Sequence, residues 1–182
     1  RKKYRLRTYN NVTDENVVFL EIKRKYNNNV SKNRAPLLIN DLQRFFATKD
    51  FSIILSGNGN GDLKDDANRF LFNYFRKGLE PSILIDYDRE AFVGKFSESL
   101  RITFDKNIRC ASWSSLEFQN NVFLNPVMSS YFILEIKFKT GLPGWFKTVI
   151  QKYHLPRQAL SKYVMSMDAL ESSLTIKKAL RA

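Results

Sequence analysis

One cysteine and one histidine in 182 residues leave several common chemistries without their reagents. Cys110 has no partner for a disulfide, and its neighbours Ala111, Ser112 and Trp113 include no base. It therefore reads as an idle or buried thiol, because a nucleophilic cysteine needs a paired base. His154 alone cannot build a His-rich metal site and leaves a histidine-based triad unsupported. No apolar run reaches the about 18 residues of a membrane-spanning helix, and no signal-peptide pattern is present. Acidic residues are few: 18 Asp+Glu against 30 Lys+Arg give a net charge of +12. Such a field attracts polyanions, which leaves nucleic acid, an anionic membrane or a phosphate-rich small molecule as partners.

The length suits a single domain, 1–182, since roughly 100–200 residues per domain is usual, and 43% hydrophobic residues supply a sizeable core. The chain opens on Arg1-Lys2-Lys3-Tyr4, already strand-like and without an initiating methionine. Further upstream sequence is expected.

What is abundant is cation at every second position. Arg5-Leu6-Arg7, Glu21-Ile22-Lys23-Arg24-Lys25 and Glu135-Ile136-Lys137-Phe138-Lys139 read as variants of one pattern. Alternate side chains of a strand share a face, so each segment would set cations against an apolar side. Tyr4–Tyr9 and Val17–Tyr26, joined by Asn10–Asn16, read as a hairpin, and Val30–Ala35 as a third short strand that ends before Pro36. Ser82–Phe92 places Ile83, Ile85, Tyr87 and Arg89 on one face. Leu100, Ile102 and Phe104 oppose Arg101, Thr103 and Asp105, and Tyr131–Lys139 repeats the alternation. The short connections make these strands antiparallel.

Helical spacing marks Leu42, Phe45 and Phe46, then Phe70, Leu71, Tyr74 and Phe75, with a stop near Gly78 and Pro81. Pro143 suits a helical first turn before Trp145, Phe146 and Ile150. Pro156 is expected to open a last helix with Leu160, Tyr163, Val164 and Met167 as its apolar stripe and Lys162 off that stripe. Ser56-Gly57-Asn58-Gly59-Asn60-Gly61 lacks the Gly-Lys-Ser/Thr ending of a phosphate loop and reads as a connector. The fold class expected is α+β: an antiparallel sheet with helices packed on its outside, which, if closed into a β-barrel, would turn its cationic face onto a ligand.

For a single lysine or arginine, a solvated face or an edge-strand guard explains the charge. For the set, like charges across neighbouring strands repel unless an anion or interspersed carboxylates neutralise them. A barrel interior lined by Arg and Lys would grip successive phosphates. Glu21 and Glu135 would either pair with those cations or contribute to a divalent metal completed by phosphate oxygens and water.

These residues resemble the polyphosphate polymerase (VTC, vacuolar transporter chaperone) domain of the triphosphate tunnel metalloenzymes. The resemblance covers nearly the whole chain. It rests, in family order, on Lys3-Tyr4-Arg5-Leu6-Arg7, Glu21-Ile22-Lys23-Arg24-Lys25, Ser31-Lys32-Asn33-Arg34, Tyr87-Asp88-Arg89, Arg101-Ile102-Thr103-Phe104-Asp105, Leu134-Glu135-Ile136-Lys137, Pro143-Gly144-Trp145 and Ser161-Lys162-Tyr163. It implies a triphosphate tunnel in which Arg5, Arg7, Lys23, Arg89, Arg101 and Lys162 serve the chemistry. Lys32, Arg34, Tyr87, Lys137 and Ser161 would bind substrate. Glu135 would hold the metal, Mn2+ or Mg2+.

The implied reaction moves the terminal phosphoryl group of ATP onto inorganic polyphosphate. The implied address is the cytoplasm or the cytoplasmic face of a membrane. The family's first strands, with another basic residue, have no counterpart before Arg1, so the activity of this stretch alone stays open. A tripolyphosphatase or nucleoside triphosphatase of the same fold and a non-catalytic polyphosphate sensor are the alternatives. A nucleic-acid binder lacks an aromatic RNA-binding signature here. The oligomeric state is not set by the sequence.

Overall fold

Strict alternation makes strands of Lys2–Arg7 (β1), Val17–Tyr26 (β2) and Asn29–Leu38 (β3). In the computed structural model, which describes residues 2–10, 13, 15–27, 29–57, 61–95, 97–113, 122–139 and 141–179, they form an antiparallel sheet in the order β1-β2-β3. Val18, Leu20 and Ile22 occupy one face of β2 and are buried with Ala35 and Leu37 of β3. Three helices cover that face: Ile39–Thr48 (α1), Phe51–Gly57 (α2) and Asp62–Arg76 (α3). They contribute Ile39, Leu42, Phe45, Ile54, Ala67, Phe70 and Leu71 to the same core. Phe45 is its centre, meeting Phe46, Phe51 and Phe75 edge-on at centroid distances of 5.1, 5.3 and 6.1 Å, the geometry that the aromatic quadrupole favours.

Asp62 and Asp65 in the first turn of α3 and Arg76 in its last complement the helix dipole. The helix stops as expected at Gly78, whose φ of +54° costs a residue without a side chain little. The Leu79 N–H donates to the Tyr74 carbonyl at 3.0 Å and the Gly78 N–H to Phe75 at 3.2 Å, closing a Schellman turn.

Two local expectations need correction in this region. β3 continues through Pro36 to Leu38, because β3 is an edge strand and the missing proline N–H disrupts no ladder there. Phe51–Gly57 forms a helix that its short apolar cluster does not announce by period; Ser56 and Gly57 belong to it, while 58–60 lie outside the described residues.

The second sheet is built on one long strand. Ser97–Ser112 (β5) pairs antiparallel with Ile83–Gly94 (β4) on one side and with Asn125–Pro126 (β6) and Ile133–Lys137 (β7) on the other. Its register slips between Asp86 and Asp88, which face Arg109 and Lys106, so Asn107 and Ile108 share the place opposite Tyr87. Asn107 takes φ +49° at this bulge, a conformation asparagine tolerates, and its amide donates to Asp88 at 2.7 Å.

Two helices follow, Gly144–Lys152 (α4) and Lys162–Ala179 (α5). The last helix begins later than expected, six residues past Pro156, and Leu160 precedes it, exposed. Lys162, Met165, Ser166, Ala169, Leu170 and Ser173 are sheltered along one face; of the expected stripe Met167 is half-buried, whereas Tyr163 and Val164 are exposed. The predicted stripe was therefore rotated, and Lys162 is on the packed face. Small Ser166 and Ala169 permit close approach to β4, β5 and β6, against which α5 packs. The Cys110 thiol, fully buried, donates to the Ser166 carbonyl at 3.5 Å; burial pushes it above the usual thiol range and keeps it protonated.

The chain thus divides into two compact units, one up to Pro81 and one of Ser82–Trp113 with the residues from Val122 onward. The fold is α+β, and among the described residues it has five helices and two antiparallel sheets whose ladders do not close into a barrel.

Phe45→Ala is expected to destabilise the first unit by about 3–5 kcal/mol. An unchanged urea midpoint in that variant would show that the aromatic cluster is not the keystone of this core.

Candidate functional site

The face of the first sheet turned away from the helices carries charge. Register sets Lys3, Arg5 and Arg7 of β1 against Lys23, Glu21 and Phe19 of β2, and these against Lys32, Arg34 and Pro36 of β3. Glu21, at the middle of the central strand, is only 1% exposed, and three cations reach it from both neighbours. The Arg5 Nε–H donates to Oε2, while Lys32 Nζ and Arg34 Nε lie 2.9 and 3.4 Å from Oε1. Burial alone would raise the Glu21 carboxyl, but Lys32 and Arg5 outweigh it and hold the group below its ordinary range.

Arg34 is fixed from three further directions. Its Cζ stacks 3.5 Å from the Phe19 centroid, its Nη2 donates to the Tyr9 hydroxyl at 3.3 Å, and its backbone N–H donates to Asp66 of α3 at 2.8 Å. Arg7 lies 4.7 Å from the Tyr9 ring. Lys23 stands exposed on this face. Arg5, Arg7, Lys23, Lys32 and Arg34 therefore share one sheet face, as their alternation predicted.

The second unit holds the remaining group. Arg89 of β4, Arg101, Thr103 and Asp105 of β5, and Glu135 and Lys137 of β7 fall on one face by register. Asp105 has no exposed surface. Arg89 grips it side-on, Nε to Oδ1 at 2.6 Å and Nη2 to Oδ2 at 2.7 Å, and Lys162 from the start of α5 donates to Oδ2. Tyr87 lies beside both cations, 5.2 Å from Arg89 Cζ and 4.8 Å from Lys162 Nζ. Ser161 immediately precedes Lys162, and its carbonyl accepts the Met165 N–H at 3.0 Å. Arg101 and Lys137 face one another across the β5–β7 ladder.

Burial pushes the Asp105 carboxyl up, but hydrogen bonds from Arg89 and Lys162 more than reverse this and keep it ionised. The hydrogen bonds to Asp105, with the negative charge of Asp105 and Glu135, move the Arg89 guanidinium further up, so it stays charged.

Glu135 is the more open of the two carboxylates on this face, 41% exposed, with Lys137 Nζ at 3.2 Å from Oε1 and Arg89 Nη2 at 3.9 Å from Oε2. Among the described residues no three acidic, histidine or cysteine side chains group as a metal cage. The donor set fits one kind of metal site: a hard divalent ion taking one carboxylate oxygen here and the rest of its ligands from phosphate and water.

Sequence reading left Asp105 without a role. Its signal was its place in the row Arg101, Thr103, Asp105, where a carboxylate interrupts a cationic face. The expectation of a buried apolar face and an open polar one holds only in part in this unit: Leu100 is buried and Ile102 and Phe104 are half-buried on the apolar side, but the polar side is sheltered too. Thr103 and Asp105 are buried, and Phe92 and Phe132 on the opposite side are each 54% exposed. The cause is α5, which covers the polar side.

Glu21 and Asp105 both stabilise the fold above the unfolded-chain carboxyl pKa of about 4, and that contribution is lost as pH falls through their lower folded values. The urea midpoint should fall steeply below pH about 4. Glu21→Gln should flatten that fall and destabilise the protein at neutral pH by about 1–3 kcal/mol, its half-exposed partners being screened. An unchanged acid slope in the variant would remove Glu21 from the groups responsible.

No helix among the described residues is long and apolar enough to cross a membrane. No curated protein matches the chain. A protein-family comparison matches the VTC domain over residues 1–171, a span that takes in β1–β7, α4, most of α5 and both cationic faces. On that match the chain belongs to the VTC domain family.

Proposed function

We propose that this chain is a polyphosphate polymerase domain that transfers the terminal phosphoryl group of ATP to a growing polyphosphate chain. VTC membership supports a polyphosphate-related function. The observation that carries the finer reading is the second sheet face. Cations from four separate elements, Arg89, Arg101, Lys137 and Lys162, are brought there by register and by the start of α5. In this reading the cationic face of the second sheet is where the triphosphate binds.

Phosphoryl transfer asks mostly for positioning and charge neutralisation, and a protein nucleophile is unnecessary. An anionic oxygen at the end of the polyphosphate chain attacks the terminal phosphorus of ATP in line. A new P–O bond forms as the bond to ADP breaks, and ADP leaves with that electron pair. The guanidinium groups of Arg89 and Arg101 take phosphate oxygens by pairs of N–H donors, while Lys137 and Lys162 add point charge. On the first sheet Arg5, Arg7, Lys23, Lys32 and Arg34 offer phosphate a cationic face of their own, and in the second unit the Tyr87 and Ser161 hydroxyls add hydrogen bonds. Glu135 holds the divalent metal, Mn2+ or Mg2+, which when bound neutralises phosphate charge. Phe19 carries the Arg34 guanidinium at 3.5 Å, which holds that cation in place on the first sheet.

Incubation of the full-length protein with ATP and Mn2+ should yield chains longer than triphosphate, and Arg89→Ala should slow this roughly hundredfold. Release of inorganic phosphate alone would make the protein a triphosphatase, and tight polyphosphate binding without turnover would make it a sensor. Glu135→Gln is expected to abolish the dependence on Mn2+ while tripolyphosphate still binds without metal. Loss of metal-free binding as well would take Glu135 out of the metal role.

A further inference from the structure

A carboxylate at an anion site should, by Coulomb's law, repel the anion. Asp105 nevertheless sits in the middle of the cationic face of the second sheet, with no exposed surface. Both of its oxygens are committed, Oδ1 to Arg89 Nε at 2.6 Å and Oδ2 to Arg89 Nη2 at 2.7 Å and to Lys162. It touches only cations that the polyphosphate reading gives to substrate, and it joins elements far apart in the chain, β4 and the start of α5.

Arg89 is gripped along its Nε–Nη2 edge by two of its five N–H donors, and the same Nη2 lies 3.9 Å from Glu135 Oε2. Lys162 gives one ammonium proton to Asp105 and has two more. The three groups together keep one net positive charge. Without the carboxylate, two like charges packed about Tyr87 would repel, and two long side chains would regain rotamer freedom that binding must then remove. The first unit repeats the device, where buried Glu21 holds Arg5, Lys32 and Arg34.

Resting on the polyphosphate reading, we infer that Asp105 is a positioning residue. It holds Arg89 and Lys162 in the arrangement that receives phosphate oxygens, so that removing this negative charge from a cationic face weakens polyphosphate binding. A purely Coulombic role has the opposite sign, because loss of an acid would tighten binding. A purely structural role lowers stability and leaves the affinity of the folded protein unchanged.

The test is calorimetric titration of inorganic tripolyphosphate into the full chain, with chelator present and well below the unfolding temperature. Asp105→Asn should bind roughly tenfold more weakly than wild type. Glu90→Gln, which removes the same charge from the opposite face, should bind as wild type does. If Asp105→Asn fails to fold, Asp105→Asn in a Lys162→Met background is compared with Lys162→Met alone, which relieves the buried excess of positive charge. The same direction of loss is expected there. Equal or tighter binding after loss of Asp105, with wild type binding normally, overturns the inference and leaves the polyphosphate reading standing. Absence of tripolyphosphate binding by wild type overturns both.

Discussion

A buried carboxylate ringed by cations is the interaction on which each unit depends. Glu21 and Asp105 both sit on the central strand of their sheets, β2 and β5. Glu21 gathers its cations from the strands on both sides, β1 and β3, whereas Asp105 takes one from the neighbouring strand β4 and one from the start of α5. Taking a carboxylate out of water carries a penalty of several kcal/mol, offset only when the geometry is good and the remaining lone pairs are satisfied. Around Asp105 the side-on guanidinium and the Lys162 ammonium meet that condition. Around Glu21 three cations share the task.

This arrangement resolves a conflict that cationic strands create. Rows of like charge across a sheet destabilise it, yet a polyanion site needs such rows. Glu21 on one face, and Asp105 and Glu135 on the other, neutralise part of the charge and leave the remainder positive. It also holds flexible side chains in place before any ligand arrives, which lowers the entropy lost on binding. For a reaction that relies on positioning and charge, a wall of held cations is a sufficient instrument.

The local pattern was legible where one period ruled. Alternation in Lys3–Arg7, Glu21–Lys25 and Arg101–Asp105 gave the faces that the registers show. Helical spacing found α1 and α3, and Gly78 marked a true stop. Legibility failed where packing overrode apolarity. Leu160, Tyr163, Val164 and Met167 read as the apolar stripe of the last helix, but of these only Met167 is half-buried, and the helix packs through Ser166 and Ala169 with Lys162 on the same side. Small residues permit approach and a charge finds a partner, and neither fact shows in a hydropathy pattern. Pro36 looked like a strand end because sequence does not say which strands are edges.

The sequence by itself determined that the chain is strongly cationic, that its strands set charge on one face, and that cysteine and histidine chemistry has no basis. Those properties follow from composition and from a period of two, both local. Only the tertiary structure decided which acids matter. Asp105 and Glu135 look equivalent in the chain, yet one is sealed beneath Arg89 and Lys162 and the other stays open beside Lys137. The difference is set by where α5 lies over β5, a contact between residues more than fifty positions apart, which no short-range pattern encodes.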